Sequence, residues 1–339
     1  MTDTPKISVI IPVYGVERYI GKCAESLFSQ SLANCVEFIF VNDCTKDNSI
    51  SILKCVIDHY PSLRDNIRIV SHSENKGLPA ARNTGLSYAA GEYVIHADGD
   101  DFCEPNMLEM FLQTAEKNNA DFVWSDYYIT FGDNRRIIRQ PPFDTPEDAV
   151  RGMLRGTMKY NVWNKMTRRS IYVENNIKFP EGYAMGEDMT MILVALHSSR
   201  CSYIAQPLYN YIQSDSQMTA AYTDKKLMEL KHNCTMISDY IDRNFSGHNL
   251  ETEYSAFHQL MKWPFLLDGK LSSFQMWKKW FPSSNKHILA SKGVNFRIKI
   301  VEWCASKGLF PLVWLHYLLV IKIFYGIVYG ANNNLSRGR

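Results

Sequence analysis

The sequence predicts an α/β fold, a mostly parallel β-sheet flanked by helices, followed by a helical C-terminal extension. Three observations predict it. Apolar β-branched runs alternate with helix-period segments through the first hundred residues, polar residues collect after each run, and the alternation ends near residue 222. Such alternation builds right-handed βαβ units whose strands are covered by helices.

Ile7–Val13 is a continuous β-branched run, the pattern of a strand buried on both faces, and Tyr19–Gln30 follows with helical spacing. Val36–Val41, Ile67–Ser71 and Glu92–Ala97 read as further strands, with Asn48–His59 and Pro79–Ala90 as the helices between them. Glu104–Asn118 reads as a helix, Asp121–Phe131 as a strand, and Phe143–Arg155 as a loop leading into a helix. Gly186–Ser198 reads as a helix opened by two acids, while Thr223–Phe245 and Glu251–Leu267 are long helices outside the alternation. The expected division is therefore a catalytic-type domain over residues 1–222 and an extension over 223–339.

A chain of 339 residues holds one large α/β core plus such an extension. The net charge of +2 supplies no global field that would draw the protein to nucleic acid. Eight cysteines without a C-x-x-C pair read as free thiols in a reducing compartment. Met1–Lys6 shows no charged segment followed by an apolar one, so the N-terminus reads as cytoplasmic.

Open sheets of this kind bind ligands beyond the carboxyl ends of their strands. Those positions hold Pro12-Val13-Tyr14-Gly15, Asn42-Asp43, His72 to Gly77, and Asp98-Gly99-Asp100-Asp101. Carboxylates gathered at a strand end make a hard oxygen site for Mn²⁺ or Mg²⁺, although an acidic turn without a metal fits the same four residues. His59, His72 and His96 lack metal-ligand spacing and read as structural. No P-loop, Rossmann fingerprint or nucleophile elbow is present.

Several segments carry a specific resemblance when taken in order. They are Ile7 to Tyr14, Phe40-Val41-Asn42-Asp43 with Asp47-Asn48-Ser49, Asn75-Lys76-Gly77 with Ala81-Arg82-Asn83-Thr84-Gly85, Asp98 to Asp101, Val162-Trp163-Asn164-Lys165, and Gly186-Glu187-Asp188. Over about residues 6–215 the chain resembles the family 2 glycosyltransferases, including those that build bacterial surface polysaccharides. The resemblance implies a GT-A fold and an inverting transfer of sugar from a nucleotide diphosphate donor to a hydroxyl of a glycan or lipid-linked acceptor. It implies that Pro12, Val13, Tyr14 and Glu17 line the base pocket and that Asp43 accepts a hydrogen bond from the base. A carboxylate there suits the imide N–H of uracil without excluding guanosine; Asp43 equally fits a helix N-terminal cap.

The same resemblance brings Arg82 to the donor and Asp98 to the ribose side, and makes Asp100 the principal metal ligand with Asp98 beside it and Asp101 as a third member. Read alone, Arg82 fits a surface position on its helix. Glu187 and Asp188 match the family's acidic pair near the acceptor, with Asp188 as the base; without the resemblance, both acids simply suit a helix N-terminus. Trp163 falls near the sugars and Lys165 near phosphate or carboxylate, with a core role for Trp163 left open. One departure concerns the stretch after Tyr209-Asn210-Tyr211: many relatives carry Arg or His there, and this chain reads Ile212-Gln213-Ser214-Asp215-Ser216. Lys165, Gln213 and Arg82 are the candidates left to meet the diphosphate.

From Ser291 to Arg339 seven basic residues stand against one acid, Glu302. Leu309–Tyr329 is apolar apart from His316 and Lys322, and Trp303, Trp314, Tyr317, Tyr325 and Tyr329 flank or punctuate it. This suits a segment over residues 303–330 lying in the headgroup zone at the inner face of the cell membrane, with spanning or packing against protein as alternatives. Two other functions compete. A sugar nucleotidyltransferase shares the layout but requires a Gly-rich basic loop after the first strand, and a catalytically silent sugar-nucleotide-binding protein has no need of Asp98, Asp100 and Asp188 together.

Overall fold

The structure, a computed structural model, describes residues 4–132, 134–213, 223–245, 247 and 250–325. The chain folds as two compact units, Met1–Val150 with Met158–Asp239, and Arg151–Thr157 with Tyr240–Arg339. The division expected at Tyr222 falls outside the described residues, and the units part at Asp239, within a helix.

In the first unit the alternation appears as β1 (Ile7–Val13), α1 (Ile20–Phe28), β2 (Val36–Asn42), α2 (Ser49–Asp58), β3 (Ile67–Ser71), α3 (Leu78–Tyr88) and β4 (Tyr93–His96). There follow β5 (Phe102–Cys103), α4 (Met107–Asn118), β6 (Phe122–Phe131), β7 (Asn134–Ile138), α5 (Pro146–Leu154), β8 (Lys165–Arg168), α6 (Arg169–Glu174), α7 (Thr190–Leu196) and β9 (Cys201–Ile212). Among the described residues the nine strands form one sheet in the order β3-β2-β1-β4-β8-β6-β9-β5, with β7 beside β6.

The expectation of a mostly parallel sheet holds for β3-β2-β1-β4. Beyond β4 the sheet is mixed, because β8 runs antiparallel to both β4 and β6 while β6 and β9 are parallel. No helical crossover separates these later strands at a regular interval, so their direction was not encoded by alternation.

Burial explains the first half. Six of the seven residues of β1 are fully buried, and each such Ile or Val contributes about 1.5–3 kcal/mol on leaving water. Helix α1 meets the sheet with Ile20, Cys23, Ala24, Leu27 and Phe28, an i, i+3, i+4, i+7, i+8 stripe. Helix α3 approaches β1 so closely at Gly85 that a Cβ there would stand 2.2 Å from Ile10 Cγ2. That contact fixes where the helix entrance lies.

The helix expected over Gly186–Ser198 is shorter. Gly186 takes a left-handed φ of +82°, Glu187–Met189 makes one 3₁₀ turn, and only Thr190–Leu196 is α-helical. Helix α8 (Asp224–Asn244) then runs from the first unit into the second.

The second unit adds α9 (Glu251–Lys262), α10 (Leu271–Lys279), α11 (Phe296–Ser306) and α12 (Phe310–His316). The long helix expected through Leu267 stops at Lys262, where Pro264 removes a backbone donor and a 3₁₀ turn takes over. Arg151 and Arg155 both pair with buried Glu253. The apolar segment Leu309–Tyr329 appears as α12 followed by π-helical turns over Tyr317–Tyr325, and the remainder lies outside the described residues. Among the described residues no helix is long and apolar enough to cross a membrane.

Candidate active site

The ends of β1, β2 and β4 and the entrance to α3 surround a cavity of about 500 Å³. Pro12, Val13 and Tyr14 line it from the first strand, Asp43 from the second, Gly77 from the third connection, and Asp98 and Asp100 from the fourth. Ala184 and Tyr211 supply wall from later in the chain. Four connections separated by tens of residues converge because parallel strands place all their carboxyl ends on one edge.

Asp43 is buried, and its carboxylate does not cap α2. Oδ1 accepts from His72 Nδ1 at 2.7 Å and from the Lys76 N–H at 2.8 Å, while Oδ2 accepts from the Gly77 N–H at 2.8 Å. Gly77 adopts φ +86° and is the residue before α3. Glu17 stands apart from the cavity wall: it is exposed, and its Oε2 accepts from the Asn48 N–H at 3.0 Å. It braces the loop between β1 and α1 against the start of α2.

Carboxylate oxygens of Asp98, Asp100 and Asp101 lie within 4.8 Å of one another. Burial pushes Asp100 up to about 6, with the Asp98 charge adding to the rise. Asp101 is held well above the usual carboxylate range, by burial first and then by Asp100 and Asp98. Its Oδ1 accepts from the Ile212 N–H at 2.7 Å, and among the described residues its buried Oδ2 has no hydrogen-bond partner. Three crowded acids with an orphaned oxygen have more negative charge than their surroundings compensate. A divalent cation fits that donor set.

Tyr209 on β9 buttresses the cluster, its hydroxyl accepting from the Asp98 N–H at 2.9 Å. Pairing of β5 with β9, Phe102 opposite Asn210, brings the two segments together.

Arg82 is not a surface residue; it is 2% exposed. Its Nη2 donates to Asp98 Oδ1 at 3.0 Å and lies 3.6 Å from Glu187 Oε1. Burial opposes its charge, but Asp98, Glu187 and Asp188 outweigh burial and hold it charged. Its Nε and Nη1 have no hydrogen-bond partner among the described residues. The guanidinium thus links the acid cluster at the cavity to the Glu187-Asp188 pair.

Those two adjacent acids differ. Glu187 is buried and pushed up to about 8, by burial first and then by Asp188, against the pull of Arg82. Asp188 keeps partial exposure and is pushed by burial to only about 6, because Arg82 and Lys165 oppose the rise. Environments that separate two titratable neighbours assign them different proton roles.

Lys165 does not reach the cavity wall. It is 1% exposed, donates to Asn161 O at 2.8 Å and Asn164 Oδ1 at 2.9 Å, and burial pushes it down to about 7 against the Asp188 charge. Trp163 is also buried. Its indole stacks on Tyr209 and Tyr211 with centroids 4.6 and 5.5 Å away, so Tyr211 rather than Trp163 presents a ring to the cavity.

Sequence reasoning missed the supports of the site. His72 holds Asp43, Tyr209 holds the acid cluster, and α8 holds the loop before Glu187. On α8, Glu229 Oε2 accepts from the Met185 N–H at 3.0 Å, and Asn233 Nδ2 donates to both Tyr183 O and Met185 O at 2.9 Å. Their polar side chains on the buried face of a helical stretch were the available signal. The segment from residue 214 to 222, which includes most of the departure after Tyr211, lies outside the described residues.

This geometry agrees with what the chain is similar to. The putative glycosyltransferase EpsH of Bacillus subtilis is 32% identical over 235 residues, 67% of this chain and 66% of EpsH, so the match spans just under two thirds of that relative. Among solved structures, S. aureus TarS 1–349 in complex with UDP-GlcNAc has a TM-score of 0.70 at 18% identity, covering 92% of this chain and 91% of that one. The mannosyltransferase PcManGT from Pyrobaculum calidifontis, in complex with GDP-Man and Mn²⁺, has a TM-score of 0.51 at 14% identity, covering 94% and 88%. These likenesses establish the GT-A fold with a helical extension. The model of Glycosyl transferase family 2 matches residues 8–185, more than half of the sequence, and the chain belongs to that family.

Proposed function

We propose that this protein is an inverting, metal-dependent glycosyltransferase that moves a sugar from a nucleotide diphosphate donor to a hydroxyl of a glycan or lipid-linked acceptor in polysaccharide assembly. The observation that carries the reading is the meeting of Asp43, Asp98 and Asp100 in one cavity, joined through Arg82 to Glu187 and Asp188. Asp43 accepts an N–H of the donor base, Pro12, Val13 and Tyr14 pack against that base, and Asp98 meets the ribose side. Asp98 and Asp100, with Asp101 behind them, would hold Mn²⁺ or Mg²⁺. When bound, the cation neutralises charge on the departing diphosphate.

The protein's own residues then manage the proton. Asp188, the more acidic and more exposed of the pair, takes the proton of the acceptor hydroxyl as its oxygen bonds to the anomeric carbon and the bond to the diphosphate breaks. Glu187 stays protonated beside it. Arg82 and Lys165 balance the charge of Asp188 from behind. Trp163 stiffens Tyr211, whose ring faces the sugar.

Turnover of a panel of UDP- and GDP-sugars with Mn²⁺ tests this reading. Wild-type protein turns over at least one donor, and Asp188→Asn retains donor binding but loses about 10²–10⁴-fold in rate. An unchanged rate in that variant contradicts the assignment.

The second unit suits the membrane-facing part of the reading. Phe296, Ile300 and Trp303 are exposed at i, i+4, i+7, as are Leu312, Leu315, Leu319 and Ile323 at i, i+3, i+7, i+11. Lys292, Arg297, Lys307 and Lys322 are exposed, and Glu302, the sole acid from Ser291 onward, is buried. Exposed apolar positions interleaved with exposed bases suit an anionic lipid surface at the inner face of the membrane. The full chain is expected to sediment with phosphatidylglycerol vesicles, and Leu312→Asp with Leu319→Asp to abolish this. Equal sedimentation of wild type and variant rules the surface out.

A further inference from the structure

We propose that His72 is a specificity-determining residue for the donor base, acting by occupying one oxygen of Asp43. The inference rests on the reading of the cavity as a nucleotide site and concerns which base edge it accepts.

As a carboxylate, Asp43 has about four acceptor positions, two on each oxygen. Oδ1 is filled, by His72 Nδ1 at 2.7 Å and the Lys76 N–H at 2.8 Å. Among the described residues Oδ2 takes only the Gly77 N–H, at 2.8 Å. One acceptor position therefore remains on the carboxylate, and Asp43 lines the cavity.

His72 is locked in this arrangement. Its Nε2 lies 2.8 Å from Thr84 Oγ1 on α3, and both His72 and Asp43 side chains are almost fully buried, at 6% and 4% exposure. With Nδ1–H given to Asp43, Nε2 accepts from the Thr84 hydroxyl, which fixes the tautomer by its second bond. The two other donors are backbone N–H groups set by the turn into α3, so His72 is the side chain that decides how much of Asp43 is left.

A single free acceptor matches a base edge with one N–H between two carbonyls, the edge of uracil. Guanine presents two adjacent donors, N1–H and N2–H, and a carboxylate answers both only when each oxygen is open. With Oδ1 saturated, the second guanine donor is left unpaired in a buried site. An unpaired buried donor weakens binding by about tenfold or more.

The test is the dissociation constants of UDP and of GDP, each with Mn²⁺, by calorimetry on the full chain. Wild type is expected to favour UDP by at least about tenfold. His72→Ala opens Oδ1 and narrows that ratio several-fold by strengthening GDP relative to UDP, whereas His72→Asn, which retains a donor near the Nδ1 position, keeps the wild-type ratio. If His72→Ala does not fold by circular dichroism, the ratio is read from Thr84→Val, which unlocks the ring and narrows the ratio in the same direction. A ratio unchanged in these variants, with both affinities falling alike, overturns the proposal, as does a wild-type preference for GDP. Failure of wild type to bind either nucleotide at millimolar concentration instead overturns the reading of the cavity itself.

Discussion

Glu187 and Asp188 are neighbours in sequence whose proton affinities are both raised by burial, Glu187 further than Asp188, and this difference drives a pH profile. The pair sits near about 8 and about 6 respectively. Turnover by a base at Asp188 is lost as pH falls through about 6, because the carboxylate form disappears, and rises to a plateau above it. Glu187→Gln is expected to keep that acid limb, since Gln preserves the neutral state Glu187 already holds; an acid limb that vanishes with Glu187→Gln transfers the base role to Glu187. The acids themselves were legible in the sequence because they are contiguous or follow a strand. Arg82 was legible only through the resemblance, for nothing local distinguishes a helical arginine in water from one buried between Asp98 and Glu187, residues 16 and 105 positions away. His72 was read as structural for the same reason: its partners Asp43 and Thr84 come from other elements.

The elements of the first half were legible nearly to their ends, since continuous β-branched strands and amphipathic helices leave strong patterns. Strand direction beyond β4 was not, because β8 is four residues long and its antiparallel pairing depends on register with β4 and β6. Helix α8 was visible as a helix, but its grip on the loop before Asp188 was hidden. That grip predicts a positioning effect. Glu229→Ala removes the acceptor for the Met185 N–H, leaves the loop less fixed, and is expected to lower kcat about tenfold with the KM for donor unchanged. Glu229→Gln, which still accepts that bond, restores most of the rate. Equal losses in both variants point instead to the charge of Glu229.

At the scale of the whole molecule, the first unit buries Asp43 and Arg82 at or beside the cavity, and the second unit holds a buried pair of its own, Lys262 and Glu302. Lys262 lies over Trp277 at 3.9 Å and donates to Asn285 Oδ1, while among the described residues neither oxygen of Glu302 has a hydrogen-bond partner. Burial pushes Glu302 up to about 8 from 4.5, partly opposed by Lys262. Between those values the native state holds more protons than the unfolded state, so the contribution of Glu302 is favourable at low pH and is lost as pH rises through about 8. Glu302→Gln is therefore expected to stabilise the chain by about 2–4 kcal/mol at pH 8 and by little at pH 5, read by urea unfolding. Equal effects at both pH values rule out a titrating Glu302.

The central claim is that one edge of the sheet gathers a base, a cation and a diphosphate. A crystal grown with UDP and Mn²⁺, with diffraction collected at the manganese edge, tests it most directly. The account predicts an anomalous peak in coordination distance of Asp100, with the uracil against Asp43. Manganese or nucleotide bound anywhere other than the cavity of Asp43, Asp98 and Asp100 contradicts it.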